Sequence, residues 1–207
     1  LHSAEPLAWY ANHFGQAAPG QICAEVTPYY LFHPAVPERI SNCLGQLPLI
    51  VLLRDPVERL LSHYFHARRL GNETLGLRAA LAAEGERLAA ADGLLMNASG
   101  VHRAHQQQSY FSRSCYEKQL PRYAAWQQTG RLLVLRSEDL FEQPQMSLAK
   151  VLEFIGLPAA DSNYLKLPQA NSGGGEADAV AQADKKEIKE LFTDTYNWAA
   201  AELGLSW

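Results

Sequence analysis

Two stretches of the chain carry residue types that could perform chemistry together. In the first, Arg54 ends an apolar run and Ser62 follows eight residues later, inside the helix that the sequence predicts there. A guanidinium and a hydroxyl at these positions could hold a phosphate, because Arg makes charge-assisted bonds and Ser makes a directional one. The plain alternative is that Arg54, Asp55 and Pro56 form no more than a well-capped helix start. The spacing leaves both interpretations open.

The second stretch holds a carboxylate, Glu25, near the end of a predicted strand at residues 21–27. Such a carboxylate could act as general base toward an acceptor hydroxyl if its surroundings raise its pKa. A surface glutamate beside a turn is the simpler interpretation. His13 could reach an acceptor cleft from the preceding segment, although a structural role is simpler for it too. Several aromatic residues could line that cleft or belong to the core, namely Trp9, Tyr10, Tyr29, Tyr30 and Phe32.

A sheet with helices around it is expected to position these residues. The apolar run at residues 47–53 is typical of a strand buried on both faces of a parallel sheet. It leads into a helix with Asp55 as N-cap and Pro56 at the first position, which should extend to Arg69. Strands alternating with helices predict an α/β fold with a mainly parallel sheet. The other predicted elements are helices at about 4–14 (capped by Ser3), 37–46, 75–91, 116–128, 147–155 and 185–203, a strand at 131–135 and a loop at 171–182.

Composition excludes several classes of function. The chain has 207 residues, of which 47% are hydrophobic, so one domain over residues 1–207 with a sizeable core is expected. A net charge of −4 argues against a nucleic-acid binder, and no apolar run approaches the roughly 20 residues of a membrane span. Three scattered cysteines and an opening unlike a signal peptide favour a cytoplasmic protein without a disulfide framework. No His, Cys and acidic residues stand at metal-ligand spacing, so no metal is expected.

Residues 53–64 (LRDPVERLLSHY) resemble the 3′-phosphate-binding segment of sulfotransferases that use 3′-phosphoadenosine 5′-phosphosulfate (PAPS). Residues 25–30 (EVTPYY) resemble the Glu-Lys-Thr/Ser-Pro-x-Tyr motif of that family's heparan-sulfate-like branch and bacterial relatives. Residues 112–116 (SRSCY) resemble its Arg-Gly-x-Tyr segment near the nucleotide, and residues 133–140 (LVLRSEDL) the strand that follows. The resemblance runs in order over about residues 1–160.

The resemblance implies a P-loop-like sulfotransferase fold in a bacterial protein that transfers a sulfuryl group from PAPS to a hydroxyl or amine. Glu25 would be the catalytic base. The nucleotide would be held by Arg54, Ser62, Arg113 and Tyr116, and the acceptor would be contacted by Thr27, Tyr30 and His13. The acceptor would be a carbohydrate, a small molecule or a carrier-bound intermediate, and a chain of charge −4 matches a heparan-like polyanion poorly.

The sequence departs from the family at three points. No phosphosulfate loop with Lys and Ser/Thr precedes Glu25, so we expect the domain to be N-terminally incomplete. Val26 stands where the branch usually has Lys, and Ser114 stands where the family has Gly. Two other functions are therefore considered, a non-catalytic nucleotide-binding module of the same fold and a P-loop kinase. Glu25 and the spacing of Arg54 and Ser62 argue against the kinase.

Overall fold

The computed structural model describes residues 7–97, 99–158, 175–177 and 179–207, and most of them lie in helices. The predicted cap Ser3, the predicted helix start at residue 4, and Gly173 and Gly174 of the predicted loop lie outside the described residues. The helices are α1 (Leu7–Asn12), α2 (Val36–Leu44), α3 (Pro56–Arg69), α4 (Leu77–Leu88), α5 (Ala91–Leu95), α6 (Arg103–Gln107), α7 (Ala124–Gln128), α8 (Ser137–Glu142), α9 (Pro144–Phe154), α10 (Gln182–Leu191) and α11 (Thr193–Leu203).

Two of the predicted strands form a small parallel sheet. Strand β1 (Leu49–Leu53) pairs with β2 (Leu132–Arg136), so that Leu49 lies opposite Leu132 and Leu53 opposite Arg136. Parallel strands require a crossover connection, and here helices α3 to α7 supply it. The α/β class and both of these strands are thus confirmed.

The strand predicted at residues 21–27 is wrong. These residues lie in neither helix nor strand, and residues 21–26 are all exposed. The side chain of Val26 is among the most exposed, at 88%. The β-branched residues of this segment favour a strand only when they pack against a neighbouring one, and the sheet of the described residues consists of β1 and β2 only.

Three predicted helices are interrupted. The helix expected at 116–128 is replaced by two 3₁₀ turns, Tyr116–Lys118 and Leu120–Tyr123, followed by α7, because Pro121 has no N–H to continue a helix. The helix expected at 185–203 divides into α10 and α11 at Phe192, which is fully buried. The helix expected at 75–91 ends at Leu88, and α5 follows it.

Helix α3 is the element on which the predicted phosphate-binding residues depend. Its N-cap is Asp55, whose Oδ1 accepts a hydrogen bond from the Glu58 N–H at 3.0 Å, as predicted from the sequence. Tyr196 of α11 donates to the other oxygen of Asp55 at 2.7 Å. One face of α3 is buried in the core, at positions spaced as an amphipathic helix requires. These positions are Val57, Leu60, Leu61, Tyr64 and Ala67.

The described helices are short. The longest, α3, has 14 residues, whereas a bilayer-spanning helix needs about 20. None of the described helices is long and apolar enough to cross a membrane.

Candidate functional site

The first half of the candidate site is the exposed face of α3 together with the turn that precedes it. The Arg54 side chain is 45% exposed, and its Nη2 lies 3.7 Å from Oε2 of Glu58. Ser62 is exposed one helical turn beyond Glu58, and residues four apart share a helix face. Glu58 and Ser62 therefore share one face of α3, and the contact with Glu58 places Arg54 at the start of that face.

The Glu58 carboxylate has a second cationic partner, which the sequence analysis missed. Lys185 of α10, whose side chain is 17% exposed, donates from Nζ to Glu58 Oε1 at 3.0 Å. The two residues are 127 positions apart, so no local pattern could have connected them. Because Lys185 already neutralises Glu58, Arg54 could leave Glu58 and bind a phosphate. Only one long, exposed ion pair would then be broken.

Tyr116 supports Arg54 from the protein interior. It is buried, and its hydroxyl donates to the backbone carbonyl of Arg54 at 2.8 Å. Burial raises the pKa of Tyr116 to about 12, so the hydroxyl remains a donor at neutral pH. The contact fixes the turn that presents the Arg54 side chain.

Arg113, a predicted nucleotide-binding residue, packs against Tyr29. Its guanidinium is 5.4 Å from the centroid of the Tyr29 ring, and its Nη1 donates to the Gln106 carbonyl at 3.3 Å. None of the ion pairs in the described part of the chain involves it. Burial lowers the pKa of Arg113, yet an arginine stays charged in proteins. Arg113 is thus a cation without a carboxylate partner among the described residues.

The second half of the site is Glu25 with its hydroxyl donors. Tyr10 donates to Oε2 at 2.6 Å, Thr27 donates to Oε1 at 2.8 Å, and Tyr30 also forms a hydrogen bond with the carboxylate. Partial burial opposes ionisation of Glu25, but these three bonds together lower its pKa below the usual value. A raised pKa was expected of Glu25 as a general base, whereas the hydrogen bonds lower its pKa and favour the ionised carboxylate.

Glu25 lies in the wall of a cleft of about 440 Å³. The cleft is lined by Trp9, Tyr10, His13, Phe14, Ala24, Glu25, Thr27 and Tyr30. The structure therefore brings Glu25 together with all three residues predicted to contact the acceptor. Tyr29 and Phe32 do not line the cleft; both pack against His105 instead.

No group of three or more His, Cys, Asp or Glu side chains in the described residues could hold a metal ion. His63, on α3, packs edge-to-face against Tyr110 and lies 3.2 Å from a guanidinium nitrogen of Arg59. Burial, reinforced by Arg59, lowers the pKa of His63 to about 2. This histidine is a packing residue.

The family model for the sulfotransferase domain matches residues 35–172. The chain belongs to the sulfotransferase domain family. The match includes Arg54, Ser62, Arg113 and Tyr116 and begins after Glu25.

Two curated relatives and one solved structure illustrate the relationship. The chain is 28% identical over 151 residues to heparan sulfate glucosamine 3-O-sulfotransferase 3B1 of Mus musculus. The aligned region covers 73% of this chain and 35% of that protein. It is 42% identical over 64 residues to membrane-associated sulfotransferase kil1 of Dictyostelium discoideum, covering 30% and 14%. The crystal structure of a sulfotransferase from Alicyclobacillus acidocaldarius matches with a TM-score of 0.71 and 21% identity, covering 97% of this chain and 72% of that one. The chain spans about a third or less of the length of these curated relatives, and the solved structure confirms the sulfotransferase fold.

The described residues include groups that could hold a phosphate. Arg54 is exposed in the turn before α3, Ser62 is exposed on α3, and Arg113 has a charge that no described carboxylate balances. A guanidinium and a hydroxyl are suitable donors to a phosphate. None of the described strand-to-helix turns carries the Lys of a phosphosulfate loop.

The structure accounts for one departure from the sulfotransferase motifs and locates the other. Ser114, in place of Gly, is buried in a 3₁₀ turn, where its hydroxyl accepts from Arg59 at 2.6 Å and donates to the Tyr110 carbonyl at 3.1 Å. The serine thus links α3 to the Arg113 segment. Val26, in place of Lys, is fully accessible beside Glu25, and the structure offers no reason for its apolar side chain.

Proposed function

We propose that this sulfotransferase moves a sulfuryl group from PAPS to a hydroxyl or amine of an acceptor bound in the aromatic cleft, with Glu25 as general base. The observation that carries the proposal is the position of the Glu25 carboxylate in the wall of the cleft, where three hydroxyl donors hold it. The family relationship and the exposed face with Arg54 and Ser62 support PAPS as donor. The cytoplasmic location, bacterial origin, single domain and absence of a metal stay predictions.

Glu25 would take the acceptor's proton during the transfer. A carboxylate has about four acceptor positions, so three hydroxyl donors leave roughly one for the substrate. As the acceptor oxygen forms its bond to sulfur, its O–H bond breaks toward Glu25. PAPS supplies the sulfuryl group, and the S–O bond that breaks leaves its electron pair on 3′,5′-diphosphoadenosine.

The predicted nucleotide-binding residues would position the donor rather than react. Arg54 and Ser62 would hold the 3′-phosphate, and Arg113 would add a cation beside it. Tyr116 would act through the Arg54 turn, since its hydroxyl is already bonded to that carbonyl. Correct placement of two reactants is itself a large share of catalysis in transfer reactions.

A non-catalytic nucleotide-binding module of the same fold is the second candidate. Two observations favour it, the lowered pKa of Glu25, which weakens it as a base, and the apolar Val26 beside it. This candidate predicts nucleotide binding without transfer, whatever acceptor is supplied.

The test replaces Glu25 by its neutral isostere. Transfer of labelled sulfuryl from PAPS is measured for the unchanged protein and for Glu25→Gln, using the 207-residue chain and any longer product of its gene. Loss of a general base should slow transfer by about 10²- to 10⁴-fold, while the affinity for 3′,5′-diphosphoadenosine stays the same. Equal rates in the two proteins would remove Glu25 from the mechanism. Nucleotide binding without transfer by the unchanged protein, in both the 207-residue chain and any longer product, would favour the second candidate.

A further inference from the structure

The walls of the cleft are aromatic and nearly uncharged. Rings are supplied by Trp9, Tyr10, Phe14, Tyr30 and the imidazole of His13. With histidine counted as neutral, Glu25 is the only lining residue with a full charge, and no Lys or Arg lines the cleft among the described residues. The described lining residues therefore carry a net negative charge.

The rings of α1 and the turn after it form two edge-to-face pairs. Trp9 and His13 have ring centroids 4.4 Å apart, and Tyr10 and Phe14 have centroids 5.3 Å apart. In addition, Nδ1 of His13 lies 3.0 Å from the Trp9 carbonyl oxygen, and Tyr10 is fixed by its bond to Glu25. Rings held in this way offer fixed apolar surfaces to a ligand at little entropic cost.

The cations that could attract an anionic acceptor lie outside the lining. Arg113 covers Tyr29, and Arg54 and Lys185 are paired with Glu58 on the face of α3. A sulfated polysaccharide would bring several negative groups close to Glu25 with no lining cation to compensate them. Like charges brought together in this way oppose binding.

We infer, on the basis of the proposed function, that the acceptor is an uncharged molecule whose hydroxyl is carried on an aromatic or otherwise apolar scaffold. The aromatic rings would pack against the scaffold, and Glu25 would receive the hydroxyl. This class differs from the heparan sulfate named for the mouse relative.

Two probes that differ in one charge test this inference. 4-Nitrophenyl β-D-glucopyranoside is neutral, and 4-nitrophenyl β-D-glucuronide has the same scaffold with a carboxylate. Calorimetric titration in the presence of 3′,5′-diphosphoadenosine should give tighter binding of the glucoside by about tenfold or more. Equal or tighter binding of the glucuronide, tighter binding of N-sulfated heparan, or binding of neither glycoside would overturn the inference.

A charge variant makes the test specific to the cleft. Ala24 is exposed in the lining, so Ala24→Lys should reduce or reverse the preference for the glucoside. Gln46→Lys adds the same charge at an exposed position outside the cleft lining and should leave the preference unchanged. If both variants behave like the unchanged protein, the cleft does not select the acceptor.

The nucleotide titration on the same sample separates the two proposals. Binding of 3′,5′-diphosphoadenosine together with a preference for anionic probes would overturn the inference about the acceptor and leave the proposed function in place. Absence of nucleotide binding by the folded protein would overturn the proposed function, and the acceptor class with it.

Discussion

The two halves of the site are held in place by different forces. Arg54 lies in the turn between β1 and α3 and Ser62 lies on α3, whose opposite face is packed in the core, with Leu60 fully buried. Glu25 lies in an exposed segment outside the sheet, and side-chain hydroxyls from Tyr10, Thr27 and Tyr30 hold its carboxylate. The half with Arg54 and Ser62, the proposed nucleotide half, depends on packing. The half with Glu25, the proposed base half, depends on a few hydrogen bonds.

This difference determines how each half should respond to substitution. A core substitution under α3 should destabilise the whole molecule, because a cavity in packed surroundings is costly. Removal of one hydroxyl near Glu25 should leave the fold intact and change the ionisation of a single carboxylate. The three predictions that follow test this contrast, beginning with the largest expected effect.

Leu60→Ala should lower the free energy of unfolding by about 2–5 kcal/mol, since it removes a fully buried side chain and leaves a cavity. Urea denaturation measures the change. Val26→Ala is the matched control in the base half, where the side chain is 88% exposed, and it should change stability by at most about 0.5 kcal/mol. Similar losses in the two variants would contradict the contrast between the halves.

Tyr10→Phe should raise the pKa of Glu25, because the hydroxyl stabilises the ionised carboxylate through a 2.6 Å bond. The unprotonated base is lost as the pH falls through this pKa, so the acid limb of the rate profile should move to higher pH. Tyr29→Phe removes a hydroxyl that bonds to His105 instead and should leave the limb in place. If the acid limb of Tyr10→Phe does not move, the ionisation of Glu25 does not control the rate.

Glu58→Gln should strengthen binding of 3′,5′-diphosphoadenosine by about two- to fivefold, because Arg54 no longer has a competing carboxylate. Lys185→Gln should weaken binding by a similar factor, since it leaves Glu58 unbalanced. Glu190→Gln, an exposed position on α10, serves as control for the change in net charge. Weaker binding in Glu58→Gln would mean that this carboxylate supports the nucleotide site rather than competing with it.

The strand and helix that carry the nucleotide half could be predicted from the sequence because their signals are local. Asp55, Pro56 and Glu58 mark a helix start within four residues, and the apolar run before them marks a strand; both are present. Their meaning depends on neighbours in the chain, so no tertiary information was needed.

The base half could be predicted only in part, for physical reasons. The composition of residues 21–27 favours a strand, but strand formation requires a partner, and the described residues provide none there. The bond from Tyr10 to Glu25 and the pair of Lys185 with Glu58 join residues 15 and 127 positions apart. Such contacts are set by the packing of whole elements, so the lowered pKa of Glu25 could not be read from its neighbours.

The central claim is that Arg54 anchors a nucleotide on the exposed face of α3. Calorimetric titration of 3′,5′-diphosphoadenosine into the unchanged protein, Arg54→Ala and the control Arg131→Ala tests it most directly. Arg131 is an exposed arginine just before β2. Loss of a charge-assisted bond should weaken binding by Arg54→Ala about tenfold or more, and Arg131→Ala should bind normally. Equal affinity in all three proteins, or no binding by a folded unchanged protein, would contradict the account.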